Sequence, residues 1–131
     1  RRIARVHDIS PVLVGEIAVY EALHDTEEMG SRFDTVPVPR WGFDEDFAAL
    51  LDSLEASMPL AQASNLSRLP LARMIHDLSE GLIGEVVDIV TRAAVSALES
   101  GEERITSSIV IALGYVPLSR RRNSALRHAM T

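Results

Sequence analysis

Every basic side chain in this 131-residue sequence is an arginine: thirteen of them, and no lysine. A guanidinium is permanently charged and forked, so it suits phosphate and carboxylate partners. It cannot do what lysine does. A P-loop needs Lys to reach the β- and γ-phosphates, and GxxxxGK[ST] is absent. Schiff-base chemistry is excluded on the same ground. With no cysteine, disulfides and thiolate metal sites are excluded too. The histidines, His7, His24, His76 and His128, are scattered, and none stands at HExxH-like spacing. His24–Asp25 and His76–Asp77 are adjacent pairs that point to different faces of a helix, so surface histidine is the better reading. No GxSxG marks a nucleophilic serine. No apolar strand ends in Asp-Glu, which leaves a Mg²⁺-holding acid without a candidate.

Two stretches remain chemically suggestive. "SRRRNSALR" (119–127) carries Arg120, Arg121, Arg122 and Arg127 and suits DNA phosphates. It has no interleaved aromatic for stacking on bases, so base reading is not supported. In isolation it reads as a solvated tail, with docking to DNA or a partner protein as its functional alternative. "EGLIGEVVDIVTRAAVSALESGEERIT" (80–106) is a helix bracketed by glycines. It is either a capped helix and nothing more, or the part of a nucleotide-binding module that touches the nucleotide.

Charge separates these stretches. Residues 117–131 carry four arginines and no acid, +4; the rest sets nine arginines against nineteen acids, −10. The body repels nucleic acid and the tail attracts it. At 47% hydrophobic the chain can bury a core of one domain, or of a piece of a larger one. No apolar run approaches the ~20 residues of a membrane span, so a cytoplasmic protein is expected, with no membrane partner.

The elements that must position these residues change in character along the chain. "RRIARVHDIS" reads as a helix end broken at Ser10-Pro11. "PVLVG" reads as a short buried strand, Val12–Val14. "EIAVYEALHDTEEMGSRF" is a helix with Ile17, Tyr20 and Leu23 at helical spacing, ended by Gly30. "FDTVPVP" is an edge strand or strand end. After Trp41, read as a packing hinge, only helices follow. Phe47, Leu50, Leu51, Leu54 and Met58 form an amphipathic stripe behind Asp44, Glu45 and Asp46, which suit the positive end of the helix dipole better than a metal. Ser67 is the predicted N-cap of a helix that buries Leu71, Ile75 and Leu78 and stops at Gly81. Val86, Val90, Ala93 and Ala97 face the core of the next, with Val87, Ala94 and Leu98 beside them and Gly101 past its end. Thr106 caps a short last helix holding Ile109, Val110 and Leu113. The predicted class is mainly α with a small α/β part: about two short strands, then a four-helix subdomain.

The ordered words "PVLVG" (11–15), "SRFDTVPVPRW" (31–41), "FAALLDSLEASMPL" (47–60), "SNL" (64–66), "SEGLIGEVVDIVTRAAVSALESGEERIT" (79–106) and "YVPLSRRR" (115–122) resemble the C-terminal part of the TniB family. These are AAA+ transposition ATP-binding proteins, related to the TnsC, MuB and IstB helpers. The resemblance implies a C-terminal portion that begins after the P-loop and the Mg²⁺-binding strand. Residues 1–41 would be the end of the α/β ATPase core, 42–114 its helical lid and 115–131 a basic tail.

In that mapping Val12–Val14 is the sensor-1 strand, and Glu16 stands where the family usually has a small polar residue. Arg32 falls at the arginine-finger position, acting in trans on a neighbouring subunit's nucleotide. Gly81, Leu82, Ile83, Gly84 and Glu85 form the turn that lies over the nucleotide. The Arg that many AAA+ proteins carry there is missing, so contact would be apolar packing on adenine and backbone groups. ATP and Mg²⁺ would serve the intact protein, with none held tightly by this chain alone. DNA bound without sequence preference, a transposase and further copies of the protein would be its partners. The alternative is a stand-alone helical protein-interaction module, or the lid of another AAA+ ATPase, without nucleotide chemistry; an exposed edge at Val12–Val14 and Val36–Val38 would then favour self-association.

Overall fold

The computed structural model describes residues 9–25, 27 and 34–130. Among them there are six helices and no strand: α1 (Ile17–Leu23), α2 (Glu45–Ser57), α3 (Leu71–Ser79), α4 (Ile83–Ser100), α5 (Ser107–Ala112) and α6 (Leu118–Met130). The chain divides into two compact units, Arg1–Val38 and Pro39–Thr131.

The first unit corrects the predicted α/β part. Val12–Val14 and Val36–Val38 are not strands, and their side chains are exposed, Val14 and Val38 at 92% each. β-branched residues fit a pleated surface only when a neighbouring strand takes up their backbone groups, and no such neighbour exists among the described residues. α1 ends at Leu23, well before Gly30; His24 follows as its C-cap, with Nδ1 2.8 Å from the Tyr20 carbonyl and its ring stacked on Tyr20. Arg32, Gly30 and the predicted helix end at 1–8 lie outside the described residues.

The second unit holds the core. α3 packs on α4, and α5 on both. Phe47, Leu51, Leu66, Ile75, Val86, Ile89, Ala97, Ile105 and Val110 are almost fully buried. The α2 stripe works as its spacing predicts: Phe47 and Leu51 fill the centre, and Leu50, Leu54 and Met58 pack at its edge. Asp44 is the N-cap, its carboxylate accepting from the Phe47 N–H at 3.0 Å, while Glu45 and Asp46 occupy the first turn. Thr106 caps α5 the same way through the Ile109 N–H at 3.3 Å. Gly101 closes α4 in the left-handed region at φ +79°.

Three local predictions are corrected. Ser67 caps nothing: the chain turns through 66–70 and α3 starts from Pro70, which offers no side-chain cap. On α4, Ile89 is in the core, whereas Val87 and Leu98 are exposed. Residues 118–130, read as a tail, are helical.

The loop between α2 and α3 owes its shape to one acid. Glu55 accepts from three successive backbone N–H groups, Ser64 at 3.1 Å, Asn65 at 3.2 Å and Leu66 at 2.8 Å. Such convergence requires a residue in the left-handed region, and Asn65 supplies it at φ +56°. Buried Ser64 then accepts from the Ile105 N–H at 2.8 Å, tying this loop to the start of α5.

Candidate functional site

The turn joining α3 to α4 and the first residues of α4, together "EGLIGE" (80–85), are where the unit's polar contacts gather. α3 ends because Glu80 (φ +54°) and Gly81 (φ +75°) both enter the left-handed region, a conformation glycine takes without cost. At Gly81 a side chain would also press into the Trp41 carbonyl oxygen. This close approach is held by two hydrogen bonds. The Trp41 N–H donates to the Gly81 carbonyl at 2.8 Å, and His76 Nε2 lies 2.8 Å from the Trp41 carbonyl. Fully buried Ser79 completes the arrangement: its hydroxyl donates to the His76 carbonyl at 3.1 Å and accepts from the Gly81 N–H at 3.2 Å.

His76 is therefore not a plain surface histidine. It is half-buried, with its ring edge-on to Phe47 (5.0 Å between centroids) and Phe43 (5.5 Å). Arg73 lies over the outer face of Phe43 and pairs with Asp77. No sequence signal marks His76 except its place three residues before Ser79 on a helix whose other inward residues are mostly apolar.

The other side of the turn faces the C-terminal segment. Glu80 Oε1 accepts from the Ser119 N–H at 2.8 Å, so a glutamate from outside the helix occupies the first turn of α6, which carries no acid of its own. That hydrogen bond holds the Glu80 carboxyl below the ordinary 4.5, helped by Arg40 and Arg121. Glu85 binds both the Tyr115 hydroxyl and the Arg121 guanidinium. Tyr115 also donates to Asp88 at 3.2 Å, Asp88 pairs with Arg92 at 3.0 Å, and Arg92 and Arg121 both lie over the Tyr115 ring. Burial and the two adjacent carboxylates push the Tyr115 phenol above its ordinary pKa of 10.

These contacts decide what the turn can do. Gly81 is buried and its N–H and C=O are both engaged; Leu82 donates its N–H to the Ser79 carbonyl. Ile83 is half-exposed and Gly84 is open, so a flat apolar ring has room against them. A phosphate does not fit: Glu80 and Glu85 bracket the turn, and the nearby Arg40 and Arg121 already lie on those carboxylates. Among the described residues no three His, Asp or Glu side chains sit close enough to share a metal ion.

The remaining predicted positions are dispersed. Glu16 is exposed and precedes α1, its carbonyl accepting from the Val19 N–H. On α6, Arg120, Arg122 and Arg127 are exposed, while Arg121 is turned to Glu85. At 100° per residue the arginines at 120, 121 and 122 point in three directions, and only Arg127 returns to the face of Arg120. Two shallow depressions, of about 300 and 330 Å³, lie elsewhere, one between α2 and the 60–64 loop, the other between the 63–71 loop and the start of α5. No helix among the described residues is long and apolar enough to cross a membrane.

Residues 1–43 match the family model described as Bacterial TniB protein. No curated protein and no solved structure matches the chain. The family resemblance is borne out over that N-terminal third.

Proposed function

From the premise that residues 1–43 are TniB-family sequence, we propose that this chain acts in DNA transposition, as the C-terminal part of an ATP-binding helper that assembles on DNA and recruits or activates a transposase. The family match carries the reading. It ends at Phe43, two residues before α2 begins, so family sequence leads directly into the helical unit. In this reading residues 42–114 are the lid, Ile83 and Gly84 its apolar contact to a base, and the arginines of α6 a phosphate-binding element. ATP and Mg²⁺ are held by residues outside this chain, which has no lysine to reach a β- or γ-phosphate. Arg32 acts on a neighbouring copy's nucleotide. The setting is the cytoplasm, where the DNA is.

Deleting the codons for residues 39–131 from the gene in its own element tests the role. Transposition is expected to fall to background, and an unchanged frequency overturns the proposal. The purified chain is expected to turn over no ATP; hydrolysis by residues 1–131 alone would overturn the assignment of nucleotide chemistry elsewhere.

A second reading, a stand-alone interaction module, draws support from α4. Ile83, Val87, Val95 and Leu98 are half-exposed and fall within one side of the helix. Light scattering on the eluted chain separates the two: a concentration-dependent dimer without DNA or ATP favours the module.

A further inference from the structure

Helix α6 is a basic element of an acidic chain, and its first turns are held by an acid of the α3–α4 turn and one from the first turn of α4. Glu80 takes the Ser119 N–H and Glu85 takes the Arg121 guanidinium. The described side chains of α6, at residues 118–123 and 127–129, are all exposed. Its arginines point in several directions around the axis instead of along one stripe. A flat acidic surface would use one face; two rows of phosphates flanking a helix would use several. Arg121 is committed to Glu85, a carboxylate whose chemistry imitates a phosphate oxygen. The pair is partly exposed, with 45% of the Arg121 and 19% of the Glu85 side chain open to solvent, so a denser run of negative charge can displace it.

We infer that Glu85, with Glu80, latches α6 to the body and that duplex nucleic acid opens the latch by exchanging its phosphates for Glu85 at Arg121. The exchange needs no change of fold, only the release of Arg121, while Glu80 keeps the Ser119 N–H. Tyr115 keeps its hydrogen bond to Asp88 when Arg121 leaves, so the root of α6 stays fixed while the arginine turns outward. The inference rests on the reading of α6 as a phosphate-binding element and adds how that binding is restrained.

The test is a fluorescence-anisotropy titration of the whole chain with a random-sequence duplex at several salt concentrations. Glu85→Gln is expected to tighten binding about 3- to 5-fold, what a partly exposed ion pair is worth. Asp52→Asn, an equal change in net charge at an exposed site on α2, is expected to do much less. In an Arg121→Ala background Glu85→Gln should do no more than Asp52→Asn, because the group it releases is gone. Arg120→Ala with Arg122→Ala should weaken binding and lower the salt slope by about 1.8, two phosphate contacts.

Equal effects of Glu85→Gln and Asp52→Asn, or an undiminished effect of Glu85→Gln without Arg121, overturns the latch. So does binding indifferent to Arg120 and Arg122, or capture by anionic lipid vesicles in preference to duplex. The transposition measurement reads the role separately, so duplex binding that ignores Glu85 removes the latch and leaves the role standing.

Discussion

The two units use the same kinds of residue to opposite effect. In residues 39–131, Val86, Val90 and Val110 are buried; in residues 9–38, Val12, Val14, Val36 and Val38 are exposed. The difference lies in the backbone. A helix satisfies its own N–H and C=O groups, so one amphipathic face against another suffices to bury valine. An extended segment leaves every backbone group to a neighbour, and without one it neither forms a strand nor buries its side chains. Apolar character is thus enough to make a helical core and not enough to make a sheet.

The contrast can be broken most directly at Phe47. Phe47→Ala empties the centre of the helical unit and is expected to cost about 3–5 kcal/mol in urea unfolding, whereas Val14→Ala should fall within about 0.5 kcal/mol. Equal effects would mean that both units carry a core. Next in size is Gly81→Ala, expected to cost about 2–4 kcal/mol, from the left-handed φ and from the Trp41 carbonyl that the methyl meets. The same measurement reads it, and a cost below about 1 kcal/mol would show that Trp41 is not clasped there. Glu55→Ala strands the N–H groups of Ser64, Asn65 and Leu66 and is expected to cost about 2 kcal/mol. Faster amide exchange confined to 64–66 would localise the effect. Asp44→Ala removes the α2 cap for about 1 kcal/mol.

The smallest effect is a titration. Tyr115 has a raised pKa in the folded chain, so its contribution is complete below pH 10 and is lost as pH rises through the higher folded value. In a Tyr20→Phe background, phenolate absorbance should appear later on alkaline titration than in the same chain unfolded in urea. Coincident curves would show that the Glu85 and Asp88 carboxylates do not hold the hydroxyl. Glu80 works at the other end: held below 4.5 when folded, it supports α6 fully above that pH and less as pH falls through its lower folded value.

Local chemistry explains why parts of this molecule are legible from residues alone. The stripe Phe47–Met58, the Asp44 and Thr106 caps and the Gly101 stop all depend on residues within a few positions of each other. What sequence reading missed is held across distance. Glu55 reaches residues 64–66, His76 reaches Trp41, and Glu85 reaches Arg121. Glu55 and Glu85 look like any other exposed acid on a helix. "EGLIGE" is a hub of polar contacts, and its carboxylates bind the chain's own C-terminal helix. Ser67 illustrates the reverse error, a good capping residue passed over because the turn through Pro70 sets the helix start.

By itself the sequence determined the four helices between residues 45 and 112, because 3.6-residue periodicity, caps and glycine stops act within a single turn. It also determined the family likeness and the excess of positive charge at the C-terminus. Only the tertiary structure decided that the β-branched words stay unpaired, because a strand exists only with its neighbour. Only it decided that the basic segment is a helix moored at Glu80 and Glu85, because an ion pair across some 36 residues is fixed by packing and not by spacing.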